Sequence, residues 1–203
     1  MVNFACISPH PPIILPSVGS PNDRKKVNNT IKSLEKLGNE LKEKNLESII
    51  ISSPHPDWGF NVPLFFLAQN FKGEIKPYLT GTETPRDYFE KGKLLYQELD
   101  KNKKYGVIAS GDMSHVLKED GPYGFHPDGP KFDKEFIKAL QEKDIEKILK
   151  LEEIYPESAN CGLRSFCFLL GILEASPKNW TAKILSYQAP FGVGYLVAKF
   201  ILK

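Results

Sequence analysis

Residues 49–59 read IIISSPHPDWG, and residues 7–12 read ISPHPP. Each is an apolar run followed by serine and then by proline–histidine–proline. Three consecutive isoleucines mark a strand buried on both faces, the kind a parallel sheet contains. Proline donates no N–H to a ladder and drives the residue before it toward extended geometry, so each strand must stop at its proline. His10 and His55 therefore sit just past two strand ends, each with its backbone narrowed by prolines on both sides. α/β sheets build their sites outside such ends. Metal ligands and catalytic bases both need a side chain held in one direction. The pair is read as two metal ligands, with zinc, copper and iron all compatible. The plainer alternative is two histidines in surface turns.

Working outward, NFACI (3–7) is the strand that ends at Pro9, ESIIISS (47–53) the one that ends at Pro54, and KYGVIASGD (104–112) a third. Residues 74–79 suggest a fourth, and TAKILSYQ (181–188) and GYLVAKFI (194–201) close the chain as a pair joined through APFG. Between them Val27, Ile31, Leu34, Leu37 and Leu41 recur at helical spacing from Pro21 onward, with Ser20 or Asn22 as cap and Asn45 as stop. Pro85 opens a second amphipathic helix through Tyr88, Leu94, Leu95 and Leu99. KEDGPYGFHPDGP (118–130) is too rich in glycine and proline for a regular element and reads as a long, functional loop. Two helices are expected near 131–150, and a very apolar one from Cys161 to about Leu173. Alternating strands and helices predict an α/β domain of three layers, α/β/α, around a mostly parallel or mixed sheet.

The bulk numbers fit a globular protein. The chain has 203 residues, 41% apolar and 26% charged, with 27 basic against 25 acidic residues and a net charge of +2. That even balance gives no electrostatic footprint for nucleic acid or membrane. The longest uncharged apolar run, FCFLLGIL (166–173), is too short to span a bilayer. Without a basic, then apolar, N-terminal leader the expected location is the cytoplasm. Cys6, Cys161 and Cys167 make no disulfide framework, in keeping with a reducing compartment. The oligomeric state has no signature in the sequence.

Two further residues join the histidine pair. His115, in ASGDMSH (109–115), also follows a strand directly. Asp112, three residues before it, is placed to accept the imidazole N–H and set its tautomer, or else to cap the turn. His126, in the glycine-rich loop, reads more simply as surface. Cys161 has two readings, a metal ligand or redox group and a small buried residue at a helix start. Cys6 and Cys167 read as core. Arg164 is a candidate for an anionic substrate group, and Tyr187, Tyr123 and Phe125 for an aromatic pocket wall.

Taken in order, ISPHPPIILPSVG, ISSPHPDWG, SGDMSH with KEDGPYGFHPDGPKFD, and NCGLRSFCFLLGIL resemble the class III extradiol ring-cleavage dioxygenases, the LigB-type superfamily. The resemblance runs from the first strand to the last, so all 203 residues are read as one catalytic domain of that type. It implies a non-haem ferrous ion, Fe(II), held by two histidines and a glutamate, with a small catechol-like substrate and O2 as partners. By motif match His10 and His55 are the histidine ligands and His115 the acid–base histidine.

One position departs from that pattern. Where the glutamate is expected ahead of the apolar helix stand Ala159, Asn160 and Cys161, and the nearest carboxylate is Glu157. The CGLRS stretch is instead similar to the Memo proteins, in which a cysteine follows the two histidines. A His–His–Cys set is softer and suits copper or zinc better than ferrous iron. The two readings are a ring-cleaving dioxygenase and a Memo-like metal protein with redox or regulatory work.

Overall fold

A computed structural model describes the chain from Met1 to Lys203. Six strands form one sheet: β1 (Val2–Ser8), β2 (Ser48–Ser53), β3 (Glu74–Leu79), β4 (Tyr105–Ser110), β5 (Trp180–Gln188) and β6 (Tyr195–Leu202), in the order β3-β2-β4-β1-β6-β5. The first four are mutually parallel, and β6 runs antiparallel to both β1 and β5. The sheet is mixed, as the apolar runs and the closing strand pair predict. β2 and β4 are buried at every position, which is why neither shows polar alternation.

The helices are α1 (Pro21–Lys26), α2 (Asn28–Lys42), α3 (Trp58–Leu67), α4 (Pro85–Glu98), α5 (Asp128–Glu142), α6 (Ile145–Leu149), α7 (Leu151–Ile154) and α8 (Leu163–Ala175). Alternate strand residues serve two cores. Ala5, Ile7, Ile50, Val107 and Ala109 pack with Tyr88 and Phe89 of α4, Phe132 and Phe136 of α5 and Phe166 of α8. Phe4, Cys6, Ile49, Ile51 and Ile108 pack with Leu34 and Leu37 of α2 and Val62 and Leu67 of α3 on the other face. These are the three layers. No helix is long and apolar enough to cross a membrane.

The local reading needs correction at five points. The helix from Pro21 is two helices, broken at the fully buried Val27, although Ser20 does cap the first by accepting the Asp23 N–H. Asn45, at φ 48°, turns the chain three residues beyond α2. α3 had no periodic signal, because WGFNVPLFFL is apolar nearly all round and carries Pro63 in its interior. The long loop ends early, since Asp128 already opens α5. The apolar helix starts at Leu163, so Cys161 lies two residues ahead of it rather than in its first turn.

Candidate metal centre

Strand register gathers the candidates. Ser8 of β1 lies opposite Ser110 of β4, and Ser52 of β2 opposite Ala109. The segments carrying His10, His55 and residues 111–115 thus leave three neighbouring parallel strands at their carboxyl ends, where α/β sheets open their crevices.

His10 is 2% exposed. Its backbone N–H donates to Asp112 Oδ1 at 2.9 Å, and its Nδ1 lies 2.9 Å from Ser110 Oγ. His55 is half-buried, with its backbone N–H on Ser53 Oγ at 3.1 Å and the Trp58 ring tilted beside it at 5.1 Å. The two imidazole centroids are 5.2 Å apart.

Cys161 comes from 151 residues down the chain. The turn before α8 is held to the end of β4 by the Gly162 N–H donating to the Asp112 carbonyl at 3.0 Å. The Asp112 N–H points at Cys161 Sγ, 3.3 Å away. That sulfur is 3.4 Å from His10 Nε2. One ligand atom each from His10, His55 and Cys161 all lie within 4.8 Å of one another. An N and an S ligand at about 2.1 and 2.3 Å on a tetrahedral ion are roughly 3.5 Å apart. The cluster therefore fits a metal ion, with the donor set of a soft or borderline one.

The carboxylate of a ferrous site is not in this cluster. Glu157 is exposed. Asn160 is engaged elsewhere, its Oδ1 accepting the Leu163 N–H at 3.2 Å and its Nδ2 donating to Ser158 Oγ at 3.1 Å.

Burial governs the charge of the site. It lowers the His10 pKa to about 3, with the neighbouring His55 and His115 adding to the effect, and it lowers that of His55 as well. Both rings are neutral near pH 7 and present a lone pair to a cation. Burial, helped by the Asp112 charge, pushes the Cys161 thiol up, so a metal must displace its proton. Asp112 is pushed up to about 7 by burial, against the pull of the His10 N–H.

His115 faces the same cavity, which measures about 430 Å³ and is lined by His10, Pro11, Pro12, His55, Trp58, Asp112, His115, Tyr123, Val193 and Tyr195. Tyr123 stands edge-on to the His115 ring at 5.2 Å. Burial lowers the His115 pKa, outweighing backbone groups at Ala159 and Met113 that raise it, and Nδ1 is buried without a partner. Asp112 does not orient this ring; its carboxylate is taken by the His10 backbone. A larger cavity of about 620 Å³ between β3 and α4 holds no cluster of metal-ligating side chains.

Three other candidates lie outside the cavity lining. Arg164 forms a two-pronged ion pair with Glu152 at 2.7 and 3.0 Å and donates to the Glu83 carbonyl, so its fork is already filled. The Tyr187 hydroxyl donates to Asp133 Oδ2. Phe125 pairs with Leu117 in an isolated bridge, and His126 Nδ1 accepts the Asp128 N–H. Cys6 and Cys167 are fully buried core.

Ser110, Trp58, Val193 and Tyr195 were not singled out in the sequence. Ser110 had a usable signal: β1, β2 and β4 all end in serine, at Ser8, Ser53 and Ser110.

The family model described as the catalytic LigB subunit of aromatic ring-opening dioxygenase matches residues 55–198. The chain belongs to the LigB family. A Clostridium acetobutylicum protein, CA_C1420, is 31% identical over an alignment 281 positions long that covers 98% of this chain, which spans 57% of that protein's length. An Escherichia coli K12 crystal structure, titled uncharacterized protein JW3007, superposes with a TM-score of 0.64 at 15% identity, over 98% of this LigB-family chain and 99% of that one. At that identity the likeness is one of fold.

Proposed function

We propose that this LigB-family protein is a metal-dependent oxidoreductase of the extradiol type, opening the ring of a small, uncharged catechol-like compound with O2. His10, His55 and Cys161 hold the metal. The observation that carries this reading is the convergence of those three ligand atoms, two of which belong to histidines that share one aromatic-walled cavity with His115. When bound, the metal supplies Lewis acidity and a path for electrons between substrate and O2. His115, kept neutral by burial, accepts the proton of a ring hydroxyl and returns it later in the turnover. Trp58, Tyr123 and Tyr195 flank the ring. No lysine or arginine is among the lining residues, so a ring bearing a carboxylate finds no counter-charge. Asp112 acts through His10, by holding its backbone. Three free cysteines suit a reducing compartment such as the cytoplasm.

A second reading is favoured by Cys161 standing in place of a carboxylate: a copper or zinc protein of Memo type, doing redox or regulatory work without ring cleavage. One experiment separates the two. Metal content is measured as purified, and O2 uptake is followed after anaerobic Fe(II) reconstitution with catechol and with 3,4-dihydroxybenzoate. Uptake with catechol, exceeding that with the carboxylated ring, supports the dioxygenase. Tight copper or zinc with no uptake supports the second reading.

A further inference from the structure

Pro63 is an oddity: a proline in the interior of α3, where it removes one helical hydrogen bond. The acceptor it leaves free is the carbonyl four residues back, that of Gly59. That oxygen is not idle, because the Ser110 hydroxyl donates to it. Ser110 Oγ also lies 2.9 Å from His10 Nδ1, and Ser110 is fully buried.

A serine hydroxyl carries one proton. A carbonyl has none to give, so the Ser110 proton goes to Gly59 and only lone pairs remain for His10. Nδ1 must then be the protonated nitrogen, and Nε2 the one with the lone pair. Nε2 is the atom 3.4 Å from Cys161 Sγ.

We infer that Pro63, Gly59, Ser110 and His10 form a hydrogen-bond relay that fixes the imidazole tautomer, with Ser110 as the positioning residue that aims the His10 Nε2 lone pair into the cluster. Outer partners commonly set a ligating histidine's tautomer in this way. Here the polarity of the relay is set from within α3, by a proline that supplies no ligand and keeps one carbonyl available. The effect on metal affinity rests on the proposed metal site; the tautomer does not.

The test labels histidine nitrogens with ¹⁵N in the metal-free protein and assigns the His10 tautomer by NMR. Zn²⁺ affinity is titrated alongside. Wild type should show the Nδ1–H form. Ser110→Ala should mix the tautomers and weaken Zn²⁺ about tenfold to hundredfold. Pro63→Ala, which offers Gly59 a competing N–H, should move both readouts the same way by less. Ser52→Ala is the control: an equally buried serine, paired with Ser165 at 2.7 Å, whose loss should lower Tm and leave tautomer and affinity unchanged. An Nε2–H wild type, or a Ser110→Ala protein that keeps the Nδ1–H form, overturns the relay. A relay that behaves as described in a protein that takes up no metal leaves the relay standing and removes the metal site.

Discussion

Cys161 Sγ lies 3.4 Å from His10 Nε2, although 151 positions separate the two residues in the chain. A soft donor and a neutral imidazole at that separation are arranged for a cation that prefers sulfur. Cys161→Ser should therefore weaken Cu⁺ or Zn²⁺ by at least tenfold and leave a hard ion such as Mg²⁺ unaffected. Glu157→Gln should do little, since that side chain is exposed. Abolition of Fe(II) binding by Glu157→Gln, with Cys161→Ser harmless, would reverse the assignment.

The pH dependence of that affinity follows from which ligand must lose a proton. His10, with a pKa of about 3, is already neutral near pH 7 and gives up nothing. The thiol, held protonated by burial and the Asp112 charge, releases one proton when metal binds. Zn²⁺ affinity should rise about tenfold per pH unit between pH 6 and 8. In Cys161→Ser the slope should flatten, which competition titrations at three pH values would detect.

Asp112 makes a prediction of the opposite kind, about stability. Its folded pKa of about 7 lies above the ordinary 3.8, so the ionised form is disfavoured in the folded protein. Its contribution is fully present below pH 4 and is lost as pH rises through 7. An asparagine keeps an acceptor for the His10 N–H without the charge. Metal-free Asp112→Asn should melt higher than wild type at pH 8, by a free energy on the order of 1–3 kcal/mol, with a clearly smaller gain at pH 5 and none below pH 4. Equal effects at both pH values would mean the carboxyl does not titrate there.

His115→Ala tests a residue placed beside the cluster and outside it. Metal content should stay within twofold of wild type while O2 uptake with catechol disappears. Loss of metal matching that of His10→Ala would make His115 a ligand.

Gly111→Ala probes how Cys161 is delivered. A Cβ on Gly111 would come within 2.2 Å of Gly162 Cα, and backbone cannot yield as a flexible side chain can. The variant should lose stability by about 2–4 kcal/mol, in the range of overpacked cores or above, and lose Zn²⁺ affinity as the turn carrying Cys161 is pushed away. A normal melting curve with normal affinity would show that this close approach is not what holds the turn.

What the sequence settled by itself is local. Runs such as IIISS specify buried strands because no polar residue interrupts them. Prolines 9, 11, 54 and 56 end those strands and confine His10 and His55, because proline's ring acts on its immediate neighbours. Parallel strands then carry both histidines, and the segment of His115, to the carboxyl end of the sheet. α3 stayed hidden because a helix that is apolar nearly all round shows no face to read. Only the tertiary structure decided the partners. Asp112 is three residues from His115, yet its carboxylate goes to the His10 backbone, because β1 and β4 are neighbours in the sheet. Arg164 is one turn from Cys161, yet its guanidinium turns to Glu152. Hydrogen bonds and ligand geometry depend on the directions of side chains brought together across long sequence separations, and those directions are set by packing between layers, which no local pattern encodes.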